Sequence, residues 1–214
     1  MRINRTVFFV TSLLLLMGYA SHVWSQTARR GTQEFLGAGS YSWTAPAGVT
    51  TLTVEFWGAG GGGTQRITPN ARSGNGGGSG AFVRSVVKVV RGQTYYINVG
   101  AGGAGDSGSG VGSPGEATQI TDSSGTVLMS AGGGSGGSKN PDTGGAGGIP
   151  DPTAGVQRNG KQGGKSNGIG GNLGGAAILG SVGLPYFMDG GAGAGYRSTG
   201  NGGDGGSGYA IIFW

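Results

Sequence analysis

Stretches such as Gly202-Gly-Asp-Gly-Gly-Ser-Gly208, locally two glycines in three, recur through this chain and constrain its fold more than any other feature. Glycine loses more backbone freedom on ordering than any other residue, so an ordered tract must recover that cost from hydrogen bonds and close packing. A polyproline-II-like helix has three residues per turn and leaves its own backbone groups unbonded. Helices of this kind laid side by side bond to one another, and glycine permits the approach. The glycines at 100, 102, 103, 105 and 108 do not share one register of three along the chain, which excludes collagen and its unbroken Gly-X-Y repeat.

Glycine contributes 55 of the 214 residues, a composition that without a strict period usually signals disorder. Strand signals between the tracts argue against that reading. Seven segments qualify: 40–44 (SYSWT), 51–57 (TLTVEFW), 81–90 (AFVRSVVKVV), 94–99 (TYYINV), 117–121 (ATQIT), 126–130 (TVLMS) and 209–214 (YAIIFW). In the second, Leu52, Val54 and Phe56 share one face, and Thr51, Thr53 and Glu55 the other. The third sets Val83, Val87 and Val89 against Arg84 and Lys88, and the fourth sets Tyr95, Ile97 and Val99 against Thr94, Tyr96 and Asn98. Alternation with period two marks half-buried strands.

The connections carry the topology. Tight turns at 45–50, 91–93 and 122–125 alternate with long glycine-rich connections at 58–80, 100–116 and 131–208. Short turns require antiparallel neighbours, so the turns gather at one end of the strands and the glycine tracts at the other. The expected fold is all-β: an antiparallel, sandwich-like base with a polyproline-II-type glycine bundle at one end. The organisation expected is a leader over 1–25, a lead-in over 26–39 and one glycine-rich β domain over 40–214.

The leader rests on a basic start, Met1-Arg-Ile-Asn-Arg5, an apolar run over 6–20, and Val23-Trp-Ser25 before the expected cleavage. This order is that of a secretory signal peptide, and fifteen apolar residues fall short of a membrane-spanning helix. The expectation is a secreted or cell-surface protein with no transmembrane segment after cleavage. Beyond the leader, twelve scattered Lys and Arg face nine Asp and Glu, without the clustered basic face that nucleic acid requires. There is no cysteine, and the single histidine, His22, lies in the leader.

The run Tyr41-Ser-Trp-Thr-Ala-Pro-Ala-Gly-Val-Thr-Thr-Leu-Thr-Val-Glu-Phe-Trp-Gly-Ala-Gly-Gly-Gly-Gly63 resembles the opening of a glycine-rich domain found in phage tail adhesins and in secreted or surface bacterial proteins. Gly92-Gln-Thr-Tyr-Tyr-Ile-Asn-Val-Gly-Ala-Gly-Gly103 and Gly205-Gly-Ser-Gly-Tyr-Ala-Ile-Ile-Phe-Trp214 resemble its middle and end. The resemblance implies layered polyglycine-II helices with variable loops at their tips. The leader departs from a phage tail protein and favours a bacterial secreted or surface role.

Other motifs fail on context. Gly58-Ala-Gly-Gly-Gly-Gly63 formally matches a dinucleotide fingerprint, but no helical pattern follows to receive a pyrophosphate. Asn159-Gly-Lys-Gln-Gly-Gly-Lys-Ser166 has Asn where a phosphate loop needs glycine. Gly102-Gly-Ala-Gly-Asp106 is one residue short of a calcium nonapeptide and does not recur. Without histidine or cysteine beyond the leader, and with six of its nine carboxylates in or beside glycine tracts, the chain reads as a non-enzyme with no catalytic residue, no metal and no cofactor.

What remains are non-glycine islands at 64–73, 138–143, 149–158, 176–189 and 196–199. Long loops on a rigid scaffold are where binding concentrates. The expected contact residues are Tyr186 and Phe187, then Arg66, Arg72, Tyr196 and Arg197. The apolar stretch 184–188 either is exposed as a contact patch or folds inward and caps the bundle. The expected function is an adhesion or recognition module that binds a glycan or a cell-surface protein. The alternatives are a self-assembling matrix or filament protein, hence a homo-oligomer, and an ice-binding protein.

Overall fold

The structure is a computed structural model and describes residues 30–65, 74–139, 142–165 and 201–214. Eleven strands run through the described residues: β1 (Thr32–Leu36), β2 (Gly39–Thr44), β3 (Thr51–Trp57), β4 (Phe82–Lys88), β5 (Thr94–Val99), β6 (Thr118–Thr121), β7 (Val127–Ala131), β8 (Ser138–Lys139), β9 (Asp142–Thr143), β10 (Val156–Arg158) and β11 (Tyr209–Phe213). They form a five-stranded sheet, β1-β11-β3-β4-β10, a four-stranded sheet, β2-β5-β6-β7, and the small hairpin β8-β9. Every pairing is antiparallel.

The two larger sheets pack face to face. Leu52, Val54, Phe56, Val83, Val87, Ala210 and Ile212 of the first meet Trp43, Tyr95, Ile97, Ile120 and Met129 of the second in one buried core. The period-two pattern produces this directly, because alternate side chains of a strand point to opposite faces. Val83, Val87, Tyr95, Ile97 and Val99 are buried, while Arg84, Lys88 and Tyr96 are exposed, as the alternation requires.

All seven expected strands occur, each within two residues of its expected ends, and four more accompany them. β1 lies inside the expected lead-in. Only Phe35 of its five residues is buried, so the segment carries no alternation to read. It is nonetheless a full edge strand, paired with β11 from Thr32↔Phe213 to Leu36↔Tyr209. Gly37, at φ 81°, turns the chain from the first sheet into the second, a left-handed conformation that favours glycine. β10 is exposed along its whole length and is equally silent in sequence.

One expectation about faces needs correcting. The second face of β3 is not solvated near its end, because Glu55 is fully buried there and Trp57 nearly so. Trp57, Phe82, Tyr209 and Ile211 form a second apolar cluster on the far side of the five-stranded sheet, with Trp57 packed on Phe82 and Tyr209 at centroid distances of 4.8 and 5.2 Å. Glu55 stands in register between Arg84 and Ile211, and the Arg84 guanidinium lies 3.3 Å from its carboxylate.

Candidate functional site: the glycine lattice and its tip

Beyond β3 the chain continues as 58–64, and its hydrogen bonds turn with a period of three. The N–H groups of Gly58, Gly61 and Thr64 donate to the carbonyls of Ala81, Gly78 and Asn75. Those of Ala59 and Gly62 donate to Glu116 and Ser113, and those of Gly60 and Gly63 to Gly206 and Gly203. All seven bonds measure 2.8–3.0 Å. Successive donors thus point to three different neighbours, and each neighbour recurs every third residue. That is a three-residue helical turn bonded entirely outward, a polyglycine-II helix.

Among the described residues, eight such segments pack together: 58–64, 75–81, 100–106, 112–117, 132–137, 144–149, 160–164 and 202–208. The first is central. Besides donating to three neighbours, it accepts from Gly103 and Asp106 on a fourth and from Gly134 and Gly137 on a fifth. The remaining segments interlock by the same rule, for example Gly145 and Gly148 donating to Gly76 and Ser79. Gly62, Gly103 and Gly134 therefore lie at one end of the sandwich, as the alternation of connections requires.

Glycine phase is set segment by segment, which explains why no single register runs along the chain. In the central segment a Cβ on Gly58 or Gly61 would strike the backbone at Gly132 or Ser135, and one on Gly62 would strike Ala104. In 144–149, a Cβ on Gly144 or Gly147 would strike Gly163 or Gly160, and one on Gly145 or Gly148 would strike Ser135 or Gly132. The third phase there, Thr143, Ala146 and Ile149, faces solvent and carries the side chains. In 112–117 only Gly112 and Gly115 face the centre, and Ser113, Pro114, Glu116 and Ala117 occupy the open sides. The number of glycines per turn thus reports how many sides of a helix are covered.

The far end of this lattice is a tip where several connections meet. The chain leaves it at Gln65 and returns at Gly74, turns through 106–111, turns again at β8-β9, and leaves and returns at Lys165 and Asn201. Asp106 ties the tip together. Its buried carboxylate accepts from the N–H of Gly108 (2.8 Å), Gly110 (3.0 Å) and Gln65 (3.2 Å) and from the Ser109 hydroxyl (2.9 Å). The Lys139 ammonium lies 3.7 Å away. Burial alone would raise the pKa of Asp106, but these donors outweigh it and hold the carboxyl below its ordinary range. Alongside, the Asn75 N–H donates to the Thr64 hydroxyl at 2.7 Å, and its side-chain amide donates to the Ser138 carbonyl.

Tyr186, Phe187, Arg66, Arg72, Tyr196 and Arg197 all lie outside the described residues, as does the leader. The island 149–158 does not belong to the tip. Ile149 ends its glycine segment at the sandwich, and 156–158 are β10 on the sheet edge, because the chain has by then run the full length of the lattice. Sequence reading overlooked Asp106, Gln65 and Lys139 as a unit. The one usable signal was an aspartate followed by Ser-Gly-Ser-Gly, whose small residues leave backbone N–H groups free to converge on a carboxylate.

A two-sheet β-sandwich whose long connections crystallise into a polyglycine-II lattice defines a class of all-β scaffold that presents loops at the end of a rigid rod. The family model described as "Glycine-rich domain" matches residues 36–210, and the chain belongs to that family. No curated protein shows significant similarity to it.

Proposed function

We propose that this protein is an exported, non-enzymatic recognition module of the adhesin kind, binding a glycan or a cell-surface protein through the loops at its lattice tip. One observation carries the reading: connections far apart in sequence, at 65–74, 106–111, 138–143 and 165–201, all begin and end at one end of a scaffold whose described segments are packed backbone against backbone. A rod so expensive in backbone entropy is explained by what it holds out, since binding function concentrates on loops fixed by rigid elements. The leader sequence supports export. Tyr186 and Phe187 are the proposed anchors, because aromatic rings give large contact area at low rotamer cost; Arg66, Arg72, Tyr196 and Arg197 are proposed to flank them.

The test is capture of the leader-free chain on intact bacterial cells and on a glycan array. Tyr186→Ala with Phe187→Ala should lower capture while the β signal in circular dichroism and the thermal midpoint stay unchanged. Loss of the fold would make those rings core. Unchanged capture would retire the tip reading, and filaments in electron micrographs would replace it with the matrix reading.

A further inference from the structure

We infer that the outer face of the sheet β2-β5-β6-β7 is a second binding surface, shaped for a neutral polysaccharide chain. This surface is separate from the lattice tip and does not depend on what the tip binds.

Charge is segregated between the two sheets. The strands of the five-stranded sheet carry Glu34, Glu55, Arg84, Lys88 and Arg158, whereas β2, β5, β6 and β7 carry no Asp, Glu, Lys or Arg. A sheet face that merely meets water ordinarily carries charged side chains of both signs. This one is polar without charge, and its groups are in register. Ser40, Asn98, Gln119 and Ser130 form one row across all four strands. Ser42 and Tyr96 form the next, which runs on to the buried Thr121 and the exposed Val127, and Thr44 and Thr94 begin a third with their hydroxyls 3.0 Å apart. With adjacent strands about 4.8 Å apart, each four-residue row spans about 14 Å.

Two properties select the ligand. Tyr96 stands in the middle of this surface with 41 % of its area exposed, an aromatic ring available for stacking. Around it, the side chains of Ser40, Ser42, Asn98, Gln119 and Ser130 make no hydrogen bond to another described residue, so amides and hydroxyls with both donors and acceptors face outward unspent. A pyranose ring offers the complementary surface: an apolar C–H face for the phenol ring and a rim of hydroxyls for the amides. It has no charge, and this surface supplies no counter-charge. An anionic polymer or an acidic protein would find nothing here to pair with.

The experiment is affinity electrophoresis of the leader-free chain in gels containing dextran, mannan or a mixed-linkage β-glucan, with alginate as the anionic comparison and pull-downs on cellulose and chitin. At least one neutral polymer should retard the protein, equally at low and high salt, because no ion pairs are involved. Tyr96→Ala should weaken binding roughly tenfold, and the pair Asn98→Ala and Gln119→Ala by a similar factor. Tyr96→Phe should keep most of it. Val86→Ser on the opposite sheet is the neutral control. If Tyr96→Ala unfolds, the amide pair carries the test, since neither amide lies in the core. The inference is overturned if no neutral polymer binds, if Tyr96→Ala and the amide pair bind as wild type does, or if retardation occurs only with alginate and fades with salt. It is also overturned if sedimentation shows a dimer that Tyr96→Ala dissociates, which would make this face a self-contact. Cell capture reads the tip and neutral-polymer retardation reads this sheet, so failure of one leaves the other standing.

Discussion

The N–H of Gly103 donates to the carbonyl of Gly60 at 2.8 Å, and three residues later on each strand of chain Asp106 donates to Gly63 at 2.9 Å. Two tracts remote in sequence thereby run parallel in lockstep. Backbones come this close only where no Cβ intervenes, so alanine is a direct probe of the lattice. Gly61→Ala and Gly145→Ala would each drive a methyl group into backbone at Ser135. Each should destabilise by about 1–3 kcal/mol or more. Ala146→Ser, on the solvent-facing phase of the same segment, should stay within about 0.5 kcal/mol. Urea denaturation of the three variants checks the contrast; equal effects would mean that the phases are not distinguished.

Order in the tracts should be visible as protection. Gly160 donates to Gly148 and Gly163 to Gly145, both at 2.9 Å, while the side chains of this segment remain exposed. Amide hydrogen exchange within 160–164 should therefore be slower than in a random coil, most of all at Gly160 and Gly163. Random-coil rates at both would show that this outer segment is not docked.

Acid should loosen the tip before the sandwich. The pKa of Asp106 is lowered from its ordinary value of 3.8, so the folded state holds a proton less readily than the unfolded state. The stability it contributes is fully present above that value and is lost as pH falls through the lower folded pKa. Amide resonances of Gly108 and Gly110 should report this before the core does. Asp106→Asn should cost about 1–3 kcal/mol at neutral pH and flatten that acid response.

The lead-in is structural. Phe35 is buried in the core, its ring 5.3 Å from that of Tyr41, and β1 covers one edge of β11. Phe35→Ala should cost about 3–5 kcal/mol. A chain starting at Gly37 should lose more, because it also bares an edge strand, and should aggregate on heating in light scattering.

Much of this architecture was legible in the amino-acid order. Leu52, Val54 and Phe56, or Tyr95, Ile97 and Val99, announce strands because apolar side chains two apart share a face whatever they pack against. The alternation of tight turns with glycine tracts likewise placed the tracts together, since antiparallel neighbours leave no other arrangement. Tertiary structure alone decided the phase of each tract. Ile149 is 77 % exposed and Thr64 fully buried, the reverse of their polarity, because each side chain points wherever its helix happens to lack or have a neighbour. The burial of Glu55 beside Arg84 and the convergence of four donors on Asp106 were equally unreadable. Period-two and period-three patterns are properties of a single segment, whereas these positions are set by hydrogen bonds to segments dozens of residues away.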